Sequence, residues 1–171
     1  SWFSKTIDSY RNAVSTESLA SETLIPGNEV VIAGLPFVRL PKGDFTMGMP
    51  VGQANDGELL HPEYTSELFM LKGEVTREWY ESFISQTPQW RSDNKSQLIE
   101  DGLVNEGYLQ SLIEPGNDNS PISYVSFYAA SAFANWFKTT LPDKYGDYIV
   151  RLPTETEWEW ASRLFDGSEE I

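Results

Sequence analysis

Apolar positions in this chain switch between the two-residue spacing of strands and the three-to-four-residue spacing of helices, with turn residues at the switch points. Residues 29–33 form a β-branched run and residues 37–40 a second apolar one, and both predict strands. Pro41-Lys42-Gly43-Asp44 supplies a turn, after which Phe45-Thr46-Met47-Gly48 resumes the extended pattern. Residues 53–58 read as a polar loop and residues 64–71 as one further strand. Thr76 then suits a helix N-cap, with Glu78 in the first turn where the helix dipole favours a carboxylate. Trp79, Tyr80, Phe83 and Ile84 give that helix one apolar face.

Residues 88–120 are irregular and polar, long for a connection. Tyr124-Val125-Ser126 leads into a second helix with Ala130, Phe133, Ala134 and Phe137 on one face. Residues 142–147 read as a loop and residues 148–152 as a strand. Pro153-Thr154 opens the last helix. There Thr154 and Glu157 have the spacing of a capping box, in which each side chain satisfies a backbone N–H of the other residue. Trp158, Ala161, Leu164 and Phe165 are expected as its buried stripe, and Gly167 as its stop. Residues 1–23 are polar, with Trp2, Phe3, Ile7, Tyr10 and Val14 at roughly helical spacing. They predict an N-terminal extension holding one helix, or else the end of a linker. Short strands and short helices joined by generous loops argue for an α+β fold with limited regular structure.

Composition narrows the function classes. Apolar residues make 40% of the 171 and aromatics 13%, enough to build one globular core. Twelve basic against twenty-six acidic side chains give a net charge of −14, which disfavours nucleic acid and anionic membrane surfaces as partners. No apolar run approaches transmembrane length, so no membrane insertion is expected. The first residue is Ser1 rather than Met, which leans toward a processed, exported protein of the periplasm or cell surface and otherwise leaves the compartment open. There is no cysteine, so disulfides, thiolate metal sites and Cys nucleophiles are excluded within this chain. His61 is the one histidine, which excludes a multi-histidine metal site and reads as a loop or packing residue.

Glu155, Glu157 and Glu159 invite a paired-carboxylate reading. The capping box commits Glu157, and the other two read as first-turn residues favoured by the dipole. No catalytic, cofactor or metal residue is therefore assigned. Trp2 and Trp90 are the candidates for exposed contacts, set against ordinary packing. Asn94-Lys95-Ser96 fits a glycosylation sequon, and Asn117-Asp118-Asn119 fits a turn better than a calcium site.

Four segments in order carry a resemblance. They are residues 38–48, ending Phe45-Thr46-Met47-Gly48; residues 68–76, ending Glu74-Val75-Thr76; residues 121–127, followed by Trp136; and residues 151–163, reading Arg151-Leu152-Pro153-Thr154-Glu155-Thr156-Glu157-Trp158-Glu159-Trp160-Ala161-Ser162-Arg163. Together they resemble the formylglycine-generating enzyme (sulfatase-modifying factor) family. The resemblance implies an irregular α+β domain related to C-type lectins, with residues 1–33 as an N-terminal extension and residues 34–171 as a domain incomplete at its C-terminus. Its signature here is Phe45, Met47, Gly48, Glu74, Thr76, Trp136, Arg151, Pro153, Thr154, Glu157 and Trp158. All are architectural: Thr76 and Thr154 cap helices, Trp136 and Trp158 bury large rings, and Arg151 can pair with Glu157.

Phe127 stands where the family usually shows Trp, a swap expected to preserve packing, and Ala129 where it often shows Asp. The cysteines of the true enzymes, their calcium-binding loops and much of their substrate groove lie in a C-terminal region beyond the segments matched here. Calcium is therefore expected only through that region. The expected function is a non-catalytic recognition or scaffold domain, with a complementary C-terminal segment or a protein as partner. The alternatives are a formylglycine-generating-type oxidase whose catalytic C-terminal segment is missing or on a separate chain, and a proteolytically split domain.

Overall fold

The computed structural model describes residues 6–8, 29–49 and 59–166. Strands β2 (Glu29–Ile32) and β3 (Leu35–Leu40) form a hairpin whose two turn residues, Ala33 and Gly34, both have positive φ, at 48° and 84°. That backbone matches the right-handed twist of the strands it joins. The Gly34 turn also lies against the Trp79 ring, where an added Cβ would come within 3.2 Å. β3 pairs with β6 (Leu68–Leu71), and β1 (Thr6–Asp8) pairs with both β6 and β7 (Ile149–Arg151). The resulting antiparallel sheet has the order β2-β3-β6-β1-β7. A separate two-stranded sheet joins β4 (Gly43–Met47) to β5 (His61–Thr65).

Alternation along the central strands assigns their two faces. Phe37 and Leu71 point into one core, and Val38, Leu40, Leu68 and Met70 into another. The first core is covered by α1 (Arg77–Gln86) and α4 (Phe127–Thr139), the second by α5 (Glu155–Asp166). The sheet is thus the middle of three layers. Helical spacing brings Tyr80 and Phe83 from α1 onto Phe133, Trp136 and Phe137 from α4. Tyr80 stacks on Phe133 at 5.8 Å, and Phe83 meets that ring edge-on at 5.5 Å.

The long segment after α1 contributes to the same core. It holds 3-10 turns at Pro88–Trp90 and Ser92–Asn94, then α2 (Lys95–Glu100) and α3 (Gln110–Ile113). It buries Leu98, Tyr108 and Leu109. The Tyr108 hydroxyl donates to Trp90 O at 2.9 Å and lies 3.1 Å from the Tyr80 hydroxyl. Burial pushes the Tyr108 phenol up to about 12, against a smaller lowering from Tyr80, and burial drives Tyr80 higher still. Both stay protonated, so each keeps a proton to donate.

Several expectations need correction. The predicted strand over residues 64–71 is two strands in different sheets, broken where Glu67 pairs with Arg39 at 3.0 Å. The helix expected within residues 1–23 is contradicted at Thr6–Asp8, which is a strand; Trp2, Phe3, Tyr10 and Val14 lie outside the described residues. The boundary between residues 33 and 34 falls inside the β2–β3 turn, and β1 sits within the main sheet. Trp90 packs against Phe83 and Tyr108, so it is a loop anchor and not an exposed contact. The polar loop at 53–58 and the stop at Gly167 also lie outside the described residues.

The last correction concerns α5. Its buried stripe is Glu157, Trp160, Ala161 and Leu164, at i, i+3, i+4 and i+7, and Trp158 points outward at 57% exposure. Trp160 packs on Phe45 with the rings tilted and their centroids 5.2 Å apart, and donates from Nε1 to Pro41 O at 2.9 Å. Trp160→Ala is therefore expected to lose about 3–5 kcal/mol, whereas Trp158→Ala should shift stability by no more than about 0.5 kcal/mol. Urea unfolding of both variants checks this, and equal losses would overturn the assignment of the buried face.

Candidate functional site

Three constellations gather the signature residues, and each does structural work. At the β7–α5 junction, Arg151 presents its guanidinium to Glu157 as a fork, with Nη1 to Oε2 at 2.8 Å and Nη2 to Oε1 at 2.6 Å. The same carboxylate accepts Thr154 N at 2.7 Å, and Thr154 Oγ1 accepts Glu157 N at 3.2 Å, completing the capping box. Pro153, with its fixed φ, sets the entry into this turn. Burial pushes the Glu157 carboxyl upward, but the bonds from Arg151 and Thr154 outweigh it and hold it below the ordinary value. An ionised carboxylate with its lone pairs committed is no general acid.

The second constellation ties β4 to α5. Gly48, at φ 100°, donates its N–H to Glu159 Oε1 at 2.9 Å and accepts from Arg163 Nη2 at 3.1 Å. Arg163 also holds Glu159 at 2.6 Å and lies 5.9 Å over the Phe45 ring. Only glycine adopts that backbone without strain. Glu159, expected as a first-turn dipole residue, is instead a clamp reaching 111 positions back along the chain. Met47 is half-buried opposite His61 in the β4–β5 ladder. His61 Nδ1 lies 2.8 Å from Leu59 O and its Nε2 3.4 Å from Glu63, on an exposed strand.

The third constellation surrounds the start of α1. Thr76 Oγ1 accepts Trp79 N at 3.4 Å, and Arg77 N and Glu78 N donate to Ser120 O and Asp118 O. Asn117 Oδ1 accepts Asn119 N and the Ser120 hydroxyl, so the Asn117–Asn119 stretch is a turn that caps α1 from outside. Glu74 and Val75 lead in, with Ile122 N donating to Val75 O at 2.9 Å. Trp136 is buried and donates from Nε1 to Gln86 Oε1 at 3.3 Å. Beside this turn a cleft of ≈ 320 Å³ is lined by Arg77, Glu81, Glu114 and Asp118. Arg77 donates there to Glu114 O at 2.8 Å.

Metals fit poorly. Copper held by a thiol pair has no ligand in a chain without cysteine. Among the described residues no group of three or more His, Asp or Glu side chains converges on a point where calcium could sit.

What the structure does present is aromatic surface. Tyr124, Phe127 and Tyr128 are 56%, 71% and 54% exposed, and the rings of Phe127 and Tyr128 meet edge-on at 6.0 Å. Two loops hold them. Tyr124 and Leu109 both adopt left-handed backbone, at φ 56° and 63°, and Leu109 N donates to Tyr124 O at 3.2 Å. Ser111 Oγ donates to Ser123 O at 2.8 Å and accepts Ser123 N at 3.1 Å, while Ser126 Oγ caps α4 at Ala129 N. Such backbone costs roughly 1–3 kcal/mol per residue and persists only where neighbours impose it. Phe127 therefore does not preserve a packing role, as the aromatic swap implied; it faces solvent, whereas Ala129 is fully buried. Sequence reasoning passed over this surface. A signal was available for Tyr128, which falls off the face defined by Ala130, Phe133, Ala134 and Phe137, whereas Phe127, three residues before Ala130, has the spacing of that face and gave none.

A model of the sulfatase-modifying factor enzyme 1-like domain matches residues 24–170. The chain is 34% identical over 101 residues to an uncharacterised protein of Borreliella burgdorferi, covering 58% of this chain and 20% of that protein. It is 30% identical over 128 residues to the serine/threonine-protein kinase pkn1 of Chlamydia caviae, and 28% to that of Chlamydia pneumoniae. Each of those matches covers 74% of this chain and 19% of the relative. The chain thus spans about a fifth of the length of the curated relatives it matches.

The Arg151–Glu157 pair predicts a pH signature. The folded carboxyl titrates below its ordinary value of 4.5, so its contribution is complete above that value and is lost as pH falls through the folded one. Glu157→Gln is expected to lose about 1–3 kcal/mol at neutral pH. Its deficit against the wild type should shrink in acid, which urea midpoints across the pH range will show. A deficit independent of pH would exclude the ion pair as its source.

Proposed function

The chain belongs to the sulfatase-modifying factor enzyme 1-like domain family, and on that premise we propose that it is a non-catalytic recognition domain whose contact surface is Tyr124, Phe127 and Tyr128. One observation carries the reading: three large rings lie more than half exposed around the start of α4, Tyr124 on left-handed backbone and Phe127 and Tyr128 on the first turn of the helix. Aromatic side chains give large contact area for little lost rotamer freedom, which is why they dominate interface hot spots. Here the three-layer core fixes the helix and the Ser111–Ser123 bonds fix the loop, so little ordering cost remains to be met on binding. A net charge of −14 favours a neutral or basic partner over an acidic one.

The domain makes up about a fifth of relatives that include chlamydial kinases, a proportion that suits a recognition module working beside another activity. Exposure of Trp158 and Ile149, on α5 and β7, supports a further contact with a complementary segment or partner protein.

The competing reading is a formylglycine-generating oxidase. It needs reactive thiols that this chain lacks, so another segment must supply them. Isolated together with whatever polypeptide accompanies it and incubated with copper and a cysteine-containing peptide, the protein is expected to form no aldehyde; aldehyde formation would end the non-catalytic reading.

The surface is tested by Phe127→Ser and Tyr128→Ser. Both should keep the wild-type urea midpoint to within about 0.5 kcal/mol, while retention of a bound partner falls by about tenfold or more. Tyr64→Ser, on the exposed face of β5, serves as the control and should bind normally. Equal retention by all four proteins would remove the aromatic surface from consideration.

A further inference from the structure

The start of α1 concentrates positive charge that no side chain answers. Arg77 is the first residue of that helix, is only 7% exposed, and lines the cleft of ≈ 320 Å³. One side-chain hydrogen bond holds it there, from Nη2 to Glu114 O, and among the described residues it has no ion pair. A guanidinium carries five N–H donors, and a buried cation without a counter-charge is costly. The positive end of the helix dipole lies at the same place and adds to that cost. The first amides of α1 are already taken: Arg77 N, Glu78 N and Trp79 N donate to Ser120 O, Asp118 O and Thr76 Oγ1. The donor left for the cleft is therefore the Arg77 side chain.

The backbone makes room for it. A Cβ on Gly116 would collide with Arg77 Nη1, so the absence of a side chain there lets the guanidinium reach the cleft. Groups of two other kinds line the same space. Glu81, Glu114 and Asp118 are exposed carboxylates, none of them in an ion pair with Arg77. Half-buried Leu112 and Ile113, the latter 80% exposed, supply apolar wall. A plain anion would meet the guanidinium but also three negative charges. A plain cation would meet those charges but also the buried guanidinium. The arrangement suits a molecule that carries both signs, and the volume is at the small end for ligand sites.

We propose that this cleft binds a free α-amino acid with an apolar side chain, its carboxylate on Arg77, its ammonium among Glu81, Glu114 and Asp118, and its side chain against Leu112 and Ile113. The two oxygens of a carboxylate match the planar fork of a guanidinium, and its charge offsets both the buried cation and the helix dipole. The ammonium distinguishes the ligand from a simple acid, and the apolar wall distinguishes it from glycine. This goes beyond the recognition reading. It uses α1 and the segment around α3 instead of the rings at the start of α4, so either assignment can fail without the other.

The probe is L-leucine, added to the whole chain while the backbone amides of Gly116 and Ile113 are followed by NMR. Saturable shifts of both are expected. N-acetyl-leucine lacks the ammonium, and leucine amide and acetate each lack one of the two charges, so all three should bind about tenfold or more weakly. Glycine, without the side chain, should bind about fivefold more weakly. Gly116→Ala keeps the cation but displaces its tip, and Arg77→Met removes it; each should weaken leucine binding by about tenfold or more. Asp93→Asn, at an exposed position outside this cleft, should bind leucine normally.

Arg77→Met also deletes the bond to Glu114 O and can lose the fold, but Gly116→Ala and the ligand series on the native chain do not depend on it. Equal binding of leucine, N-acetyl-leucine and leucine amide would overturn the proposal. So would acetate binding as tightly as leucine, which marks a plain anion site. Undiminished leucine binding by Gly116→Ala, or no saturable shift up to about 50 mM leucine, would overturn it as well.

Discussion

The carboxylate of Glu157 accepts hydrogen bonds from two elements at once, and the relation between the two sheets depends on it. One set comes from Arg151 at the end of β7, the other from Thr154 at the start of α5. This fixes how α5 leaves the main sheet. With that direction set, Trp160 falls on Phe45 and Pro41, while Glu159 and Arg163 reach Gly48. The small β4–β5 sheet is held through these contacts. The space under Trp160 is equally exacting: a Cβ on Gly43 would come within 2.8 Å of its ring. A short polar junction thereby transmits the orientation of one layer to another, and the apolar contacts follow from it.

The opposite face of the sheet is organised by shape. Rings from α1 and α4 interlock around Phe133, and the long segment after α1 adds Tyr108 to close that core. Polar satisfaction is nearly complete among the described buried side chains. The exceptions are Arg39 Nε and Thr65 Oγ1. Both sit where the chain passes from the small sheet to the large one, so the cost of that crossing is localised there.

Local chemistry was legible in the residues. The capping box, the caps at Thr76 and Ser126 and the buried faces of α1 and α4 all follow from spacing over one or two turns. Phase was harder. Trp158 and Trp160 both suit an apolar stripe, and a shift of about two positions decides which is buried, because the deciding partner, Phe45, lies far away in sequence. The clamp between Gly48 and Glu159 was illegible for the same reason. The division of residues 64–71 was hidden by two short strands of similar composition that meet end to end. β1 leaves no periodic trace, since three residues cannot express one, and the apolar spacing around it suggested a helix. The resemblance drew attention to signature positions, which are architectural, and away from Phe127 and Tyr128, which are not.

Sheet topology also governs the order in which the molecule can be completed as it is made. β1 leaves the ribosome first, yet one of its pairing partners, β7, ends at Arg151. The hairpin of β2 and β3 and its pairing with β6 can form while synthesis continues, but the first strand must wait until β7 has been made. Pairings of such long sequence separation form late and slowly. Until then the nascent domain carries an unfilled edge at β6, so this stage of biogenesis is where it most needs shielding from its neighbours.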